Sequence, residues 1–299
     1  MLSVLLCVLA SGSLLLILRL AKAAKITLLP MIVTNYITCV TCGFFFVPDY
    51  FSQIETLSNK LPLVIGWFHG VLFVSLFFLI GKASQQIGVA YTAMITRVSV
   101  LFPTLLSILV YQETMNGWGW LGIILTLVAI ILLHWKYISG ATLVERKGAK
   151  RLFILSAILF LGTGLADAIF KVIDFHFGKQ INDHLYTLTV FQSAALMGTL
   201  VVLLRFMQNR LQFKLKDFLW GILLGVPNYF SVVFLFWALE VLPGPVFFPI
   251  NHIGVLIFVS LVGIFYFKER FSTASWLGFG VACLSILLMA NQELIQLFR

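Results

Sequence analysis

A chain of 299 residues that is 61% hydrophobic and only 10% charged is not a soluble globular domain, because such domains are about 45–50% apolar and about 25% charged. The net charge of +9 does not point to nucleic acid, since the Lys and Arg residues gather in short segments between long apolar runs, as the positive-inside rule expects of a membrane protein. The four cysteines, Cys7, Cys39, Cys42 and Cys283, all lie within apolar runs and read as small packing residues rather than as a redox pair or metal site.

In chain order, the apolar runs predict ten spans, at about 2–20, 28–47, 62–81, 87–111, 117–137, 152–173, 185–205, 217–238, 245–267 and 274–291. Each is close to the length of roughly 20 residues that a helix needs to cross the hydrocarbon layer. Lipid offers unpaired backbone groups no partner, so such runs must be helical. The alternation of a membrane barrel is absent. The first run has no basic leader and no small-residue cleavage site, and reads as a retained span.

The chain also repeats itself. Residues 88–122 and 244–278 both begin at Gly, run through an apolar stretch to Glu113 or Glu269, and re-enter an apolar run at Trp-Leu-Gly, with a constant offset of 156. Upstream, Gly66, Gly70 and Ala83 match Gly221, Gly225 and Ala238 at an offset of 155, as Thr34, Tyr36, Thr38 and Gly43 match Thr189, Phe191, Ser193 and Gly198. Such a long period means a duplicated half, here residues 1–140 and 150–299, with the seam near 139–150. Five spans per half is odd, so the second half enters the membrane from the opposite side. The expected fold class is therefore an all-α polytopic membrane protein of ten transmembrane helices in two inverted five-helix repeats.

Of the 20 Lys and Arg residues, 15 fall in the odd-numbered loops and 4 in the even loops and tails. The charge rule puts the 15 in the cytoplasm and both termini outside. Gly66 and Gly70 in span 3, like Gly221 and Gly225 in span 8, form GxxxG pairs that predict close helix contacts. Pro103, Pro227 and Pro249 interrupt spans 4, 8 and 9. Each break reads either as an ordinary kink or as irregular backbone beside a cavity.

The polar residues inside the spans are the candidate site. Arg97 falls near the middle of span 4, where a charge costs about 2.5–3.5 kcal/mol on insertion scales and needs a cavity or a partner. Asn251 and His252 hold the corresponding depth of span 9, so Arg97, Asn251 and His252 are expected around one pocket, with Thr96 and Ser99 as neighbours. Asp167 is the carboxylate well inside span 6. It pairs with Lys171 or Arg97, or carries a proton and makes transport H+-coupled. Asn35 and Tyr36 in span 2, His69 in span 3, Gln192 in span 7 and Asn228 in span 8 line the pocket or bond between helices. Trp67, Tyr91 and Phe247 are candidate apolar walls, while most other aromatics face lipid or its interface.

Two five-helix halves, closed at Glu113 and Glu269 and followed by Trp120-Leu121-Gly122 and Trp276-Leu277-Gly278, resemble the drug/metabolite transporter superfamily and, more narrowly, its EamA-like branch. The marks run from Ala83 and Gly88 to Gly122 and from Ala238 and Gly244 through Arg270 to Gly278. Pro103 stands where the family has proline in span 4, and Val259 replaces its equivalent in span 9. The resemblance implies a secondary transporter with a central cavity lined by spans 1, 3, 4, 6, 8 and 9 and supported by 5 and 10. It also implies cytoplasmic termini, against the loop count.

The function expected is movement of a small polar or amphipathic metabolite by alternating access, as an exporter, in a bacterial inner membrane. The protein is expected to act as a monomer or weak dimer, with no cofactor or metal. No Walker A loop, HExxH or nucleophile–base pair is present, which argues against ATP drive and against an enzyme. A non-transporting structural or receptor-like protein is the alternative, and it leaves the charged midplane residues unexplained.

Overall fold

The computed structural model describes residues 1–86, 89–133, 146–208, 214–267 and 273–289. Gly88, Lys136, Arg210, Lys268, Glu269, Arg270, Arg299 and most of the predicted seam lie outside the described residues, as do the side chains of Tyr91, Arg146, Lys147, Lys150 and Arg151.

The described residues form helices and no strand: α1 (Leu2–Ala23), α2 (Leu28–Phe46), α3 (Tyr50–Thr56), α4 (Leu61–Gln86), α5 (Val89–Val98), α6 (Leu101–Leu109), α7 (Gly117–Leu133), α8 (Arg146–Phe177), α9 (Asp183–Met207), α10 (Leu215–Leu239), α11 (Gly244–Phe265) and α12 (Thr273–Met289). Seven are long and apolar enough to cross a membrane, and three shorter apolar helices cover Ile95–Leu109, Gly117–Leu132 and Trp276–Met289. Local signals set several ends. Asn182 accepts from the His184 backbone N–H and Asp183 follows it, placing an acceptor and a negative charge at the start of α9. Pro245 sits in the first turn of α11, where its missing N–H costs nothing.

Two boundaries depart from the apolar pattern. The fourth run is two helices rather than one, broken at Ser99–Val100. Pro103 has no N–H to give the Ser99 carbonyl, which instead takes the Phe102 N–H at 2.9 Å, while the Val100 N–H bonds Arg97 O at 3.2 Å. Both bonds span three residues, so the ladder tightens into a turn. The sixth run extends to Phe177 within α8, because a helix need not stop where its apolar residues do. The seven-residue α3 has no apolar period and was not expected.

The chain forms two compact units: residues 1–81 with 169–237, and 82–168 with 238–299. Each draws on both halves of the sequence. In the first unit α2 packs along α9, with the Tyr36 ring 6.0 Å from those of Phe77 and Phe191.

Glycines let these backbones meet, and they do so reciprocally. A Cβ on Gly66 would stand 3.1 Å from the Thr189 methyl, and one on Gly221 would strike Thr34. A Cβ on Gly70 would strike the Val190 carbonyl and Ser193, and one on Gly225 would reach the Asn35 carbonyl and Thr38. Gly43 faces Leu188 as Gly198 faces Val33. In every case the partners exchange when 155 is added, which is how the two sides of a self-complementary interface behave.

In the second unit α7 lies along α12, and α11 packs on α6, α7 and α12. Ala129, Ile130, Ile253, Leu256 and Ala282 form its buried apolar core. Gly122 of α7 sits against Met289 and the Ser285 carbonyl of α12.

Candidate functional site

Four of the eight predicted site residues fall in the second unit, around the break between α5 and α6. His252, in the third turn of α11, is buried at 3% exposure. Its Nδ1 donates to the Arg97 carbonyl at 3.3 Å, the carbonyl that the interrupted ladder leaves open to a second donor. Its Nε2 lies 3.2 Å from Oδ2 of Asp167, whose side chain is 23% exposed. One imidazole therefore ties α8 to the broken α5–α6 segment. Arg97 is half-buried. Asn251, next to His252, is buried, and its Oδ1 has no hydrogen-bond partner among the described residues. The same holds for the hydroxyls of Thr104 and Ser107 on α6, the helix against which α11 packs.

Arg97 and His252 touch through Arg97's backbone oxygen, not its side chain. Asp167 meets His252, and Lys171 binds Asp174 at 3.3 Å. Ser99 turns back on the Thr96 carbonyl at 2.6 Å.

The other four residues lie in the first unit. Asn228 donates from Nδ2 to Asn35 Oδ1 at 3.1 Å, both buried. His69 Nδ1 bonds the Tyr186 hydroxyl at 2.9 Å, and its ring meets that of Phe170 edge-on at 4.4 Å. Tyr36 is fully buried. The Asn35 Nδ2 and the Tyr36 hydroxyl have no partner among the described residues. Buried polar atoms are nearly always satisfied, so Asn35, Tyr36 and Asn251 each carry an atom that the described residues leave to be satisfied.

Several functional-looking contacts escaped the sequence reading. Glu113 Oε2 accepts the Gly244 N–H at 3.1 Å, capping α11. The repeated Gly and Glu were visible, but their pairing between halves was not. Asp217, fully buried, accepts the Thr27 N–H at 2.9 Å at the start of α2. The Tyr50 hydroxyl donates to Gln192 at 2.7 Å. His184 bonds Tyr229 at 2.8 Å and stacks on Phe46. Tyrosines inside apolar runs read as lipid-facing, and only the fold shows where their hydroxyls point. Cys39, as expected of a packing residue, is buried and donates to the Gly225 carbonyl at 3.2 Å. Of the candidate walls, Phe247 is buried and Trp67 is exposed.

Residues 155–291 match the family model of the EamA-like transporter family. That stretch, a little under half of the chain, is similar to this family, which lies within the drug/metabolite transporter superfamily. The match and seven helices long and apolar enough to cross a membrane support a multi-pass integral membrane protein. A Haemophilus influenzae protein described as uncharacterized is 28% identical over 279 residues, covering 91% of each chain. A crystal structure superposes with a TM-score of 0.66 at 12% identity, over 97% of this chain and 96% of that one, a likeness of fold alone.

Proposed function

We propose that this EamA-like chain is a secondary transporter that exports a small polar or amphipathic metabolite by alternating access, with H+ as the coupling ion, in a bacterial inner membrane. The seven long and three shorter apolar helices act in this reading as ten spans in two inverted five-helix halves, residues 1–140 and 150–299. The exchange of partners between Gly66, Gly70, Gly221 and Gly225 supports the inversion. The match of residues 155–291 to a transporter family carries the functional reading. The polar groups inside the apolar helices, some with buried atoms that have no partner among the described residues, support solute-binding roles for Arg97, Asn251, His252 and Asp167 in the second unit and, taken separately, for Asn35, Tyr36, His69 and Asn228 in the first. Such a site does work when substrate binds the inward- and outward-open states unequally.

A metabolite library screened by thermal shift on purified protein identifies the solute, since a ligand raises apparent stability by mass action. The hit is then tested for flux in proteoliposomes. Wild type moves it, and Arg97→Ala, folded and monodisperse, does not. Flux of no stabilising metabolite would overturn the proposal, and full flux in Arg97→Ala would remove Arg97 from the site.

A further inference from the structure

His252 contacts two oxygens of different kinds, and this fixes where its protons can sit. A backbone carbonyl only accepts, so the bond to Arg97 O at 3.3 Å requires the hydrogen on Nδ1. A neutral imidazole then turns the lone pair of Nε2 towards the Asp167 carboxylate 3.2 Å away. Two acceptors at that distance repel unless a proton lies between them. That proton sits on Nε2 beside a carboxylate, or on Asp167 donating to Nε2. In either form the pair carries no net charge.

We infer that Asp167 and His252 form a binding site for a single proton, shared between them, whose occupancy decides whether α8 is bonded to α11. Loss of the proton to water leaves a neutral ring, still held through Nδ1, facing a carboxylate, and the pair's charge falls from zero to minus one. The attraction across the contact becomes repulsion. Asp167 is the more open partner, at 23% against 4% side-chain exposure, so its carboxylate is the point of entry. A site between two spans that opens on proton release is the element an H+-coupled carrier needs, and that use of it rests on the transporter reading. The proton binding itself does not.

Among the charged residues near the pair are Arg97, whose carbonyl His252 bonds, and Lys171, one turn along α8 from Asp167, which binds Asp174. The helices packed on α11 are α6, α7 and α12. Neither α6 nor α7 contains a titratable side chain, and α12 contains only Cys283. On α5 the titratable residues are Tyr91 and Arg97, and the part of α8 in this unit has Arg146, Lys147, Lys150 and Arg151 at its far end besides Asp167. When two groups interact this closely their protonation steps belong to the pair, so removal of the shared proton is felt at both residues.

The test uses the full chain in lipid nanodiscs, labelled with 15N-histidine and 13Cγ-aspartate and titrated with H+ as the only ligand. His252 is assigned among the five histidines with His252→Gln, and Asp167 with Asp167→Asn, whose amide keeps an N–H towards Nε2. In the wild type, loss of the shared proton is expected to move the His252 nitrogens and the Asp167 carboxyl carbon at the same pH, with Nδ1 protonated on both sides of that step; uptake of a second proton at lower pH is a further step of the pair. In Asp167→Asn the step at which His252 loses its Nε2 proton moves to a different pH. A step at one residue with no response at the other, a neutral ring protonated on Nε2, or a His252 step indifferent to Asp167→Asn would each overturn the inference. If His252→Gln fails to fold, Asp167→Asn supplies both assignments. If both fail, Asp167→Glu assigns the pair by displacing its two signals. A step felt at both residues in a protein that moves no metabolite keeps the proton site and removes the transport proposal; residues that titrate without response to each other in an active transporter do the reverse.

Discussion

Replacing Gly70 by alanine tests the reciprocal packing of the first unit. The new methyl would overlap the Val190 carbonyl and stand 2.6 Å from the Ser193 Cβ and 3.0 Å from the Ala194 nitrogen. Two of those three atoms are backbone and cannot rotate away, so α4 must separate from α9. Forcing one extra carbon into a packed contact costs about 1–3 kcal/mol, and the upper part of that range applies where the neighbour is rigid. Gly225→Ala, whose methyl would stand 2.5 Å from the Thr38 Cβ and 2.7 Å from the Asn35 carbonyl, should cost the same. Gly66→Ala is milder, because its nearest neighbour is the Thr189 methyl at 3.1 Å and a methyl can shift.

Gly280 completes the series. Nothing lies within 4 Å of a Cβ there, so Gly280→Ala removes unfolded-chain entropy and stabilises by about 0.4–1 kcal/mol. Reversible unfolding in mixed micelles, read by circular dichroism, ranks the four variants. The expected order of stability is Gly280→Ala highest, then wild type, Gly66→Ala, and Gly70→Ala together with Gly225→Ala. Equal stability of Gly70→Ala and Gly280→Ala would refute the close approach. A loss at Gly70 without a similar loss at Gly225 would refute its reciprocity.

Three further outcomes follow from single contacts. A double-mutant cycle on Asn35→Ala and Asn228→Ala should give a coupling of about 0.6 kcal/mol, the average for hydrogen bonds between membrane helices, and zero coupling would show the amides act independently. Glu113→Ala should cost about 0.5–2 kcal/mol by uncapping α11, with most of it recovered in Glu113→Gln, whose amide oxygen still accepts from Gly244; unfolding midpoints of the two variants decide it. Tyr186→Phe leaves the His69 ring its aromatic neighbours but not the 2.9 Å hydroxyl contact. The His69 15N shifts should therefore change while its ring stays ordered, and unchanged shifts would remove that hydrogen bond.

Most of the helices were legible because lipid imposes a strong rule on sequence. The runs at 28–47, 185–205, 217–238 and 245–267 anticipate α2, α9, α10 and α11 to within a few residues, since each begins and ends where polar groups must leave the hydrocarbon. The break in the fourth run was less legible. Pro103 announces a kink, but the missing N–H acts four residues upstream, so the turn falls at Ser99–Val100 and not at the proline.

Arg97 and His252 stand at matching depth in the repeat, but their contact uses a carbonyl that no side-chain pattern reveals. Asp167 carried two candidate cationic partners in the sequence, and its histidine partner needed the fold. Tyr186 and Tyr229 were invisible as hydrogen-bond partners, because an aromatic residue in an apolar run has the same composition whether it faces lipid or a neighbouring imidazole.

The proposed inversion of the two halves has one direct consequence for sidedness. Lys22, at the end of the first span, and Lys179, after the sixth, are both exposed and follow corresponding spans of the two halves. In a variant whose four native cysteines are replaced by serine or alanine, Lys22→Cys and Lys179→Cys are labelled separately with a membrane-impermeant maleimide, in intact cells and in inverted vesicles. The account predicts labelling from opposite sides, with Lys22→Cys reacting from the cytoplasm if the loop charges set the orientation and from outside if it follows the family's. Labelling of both from the same side would contradict the inverted repeat.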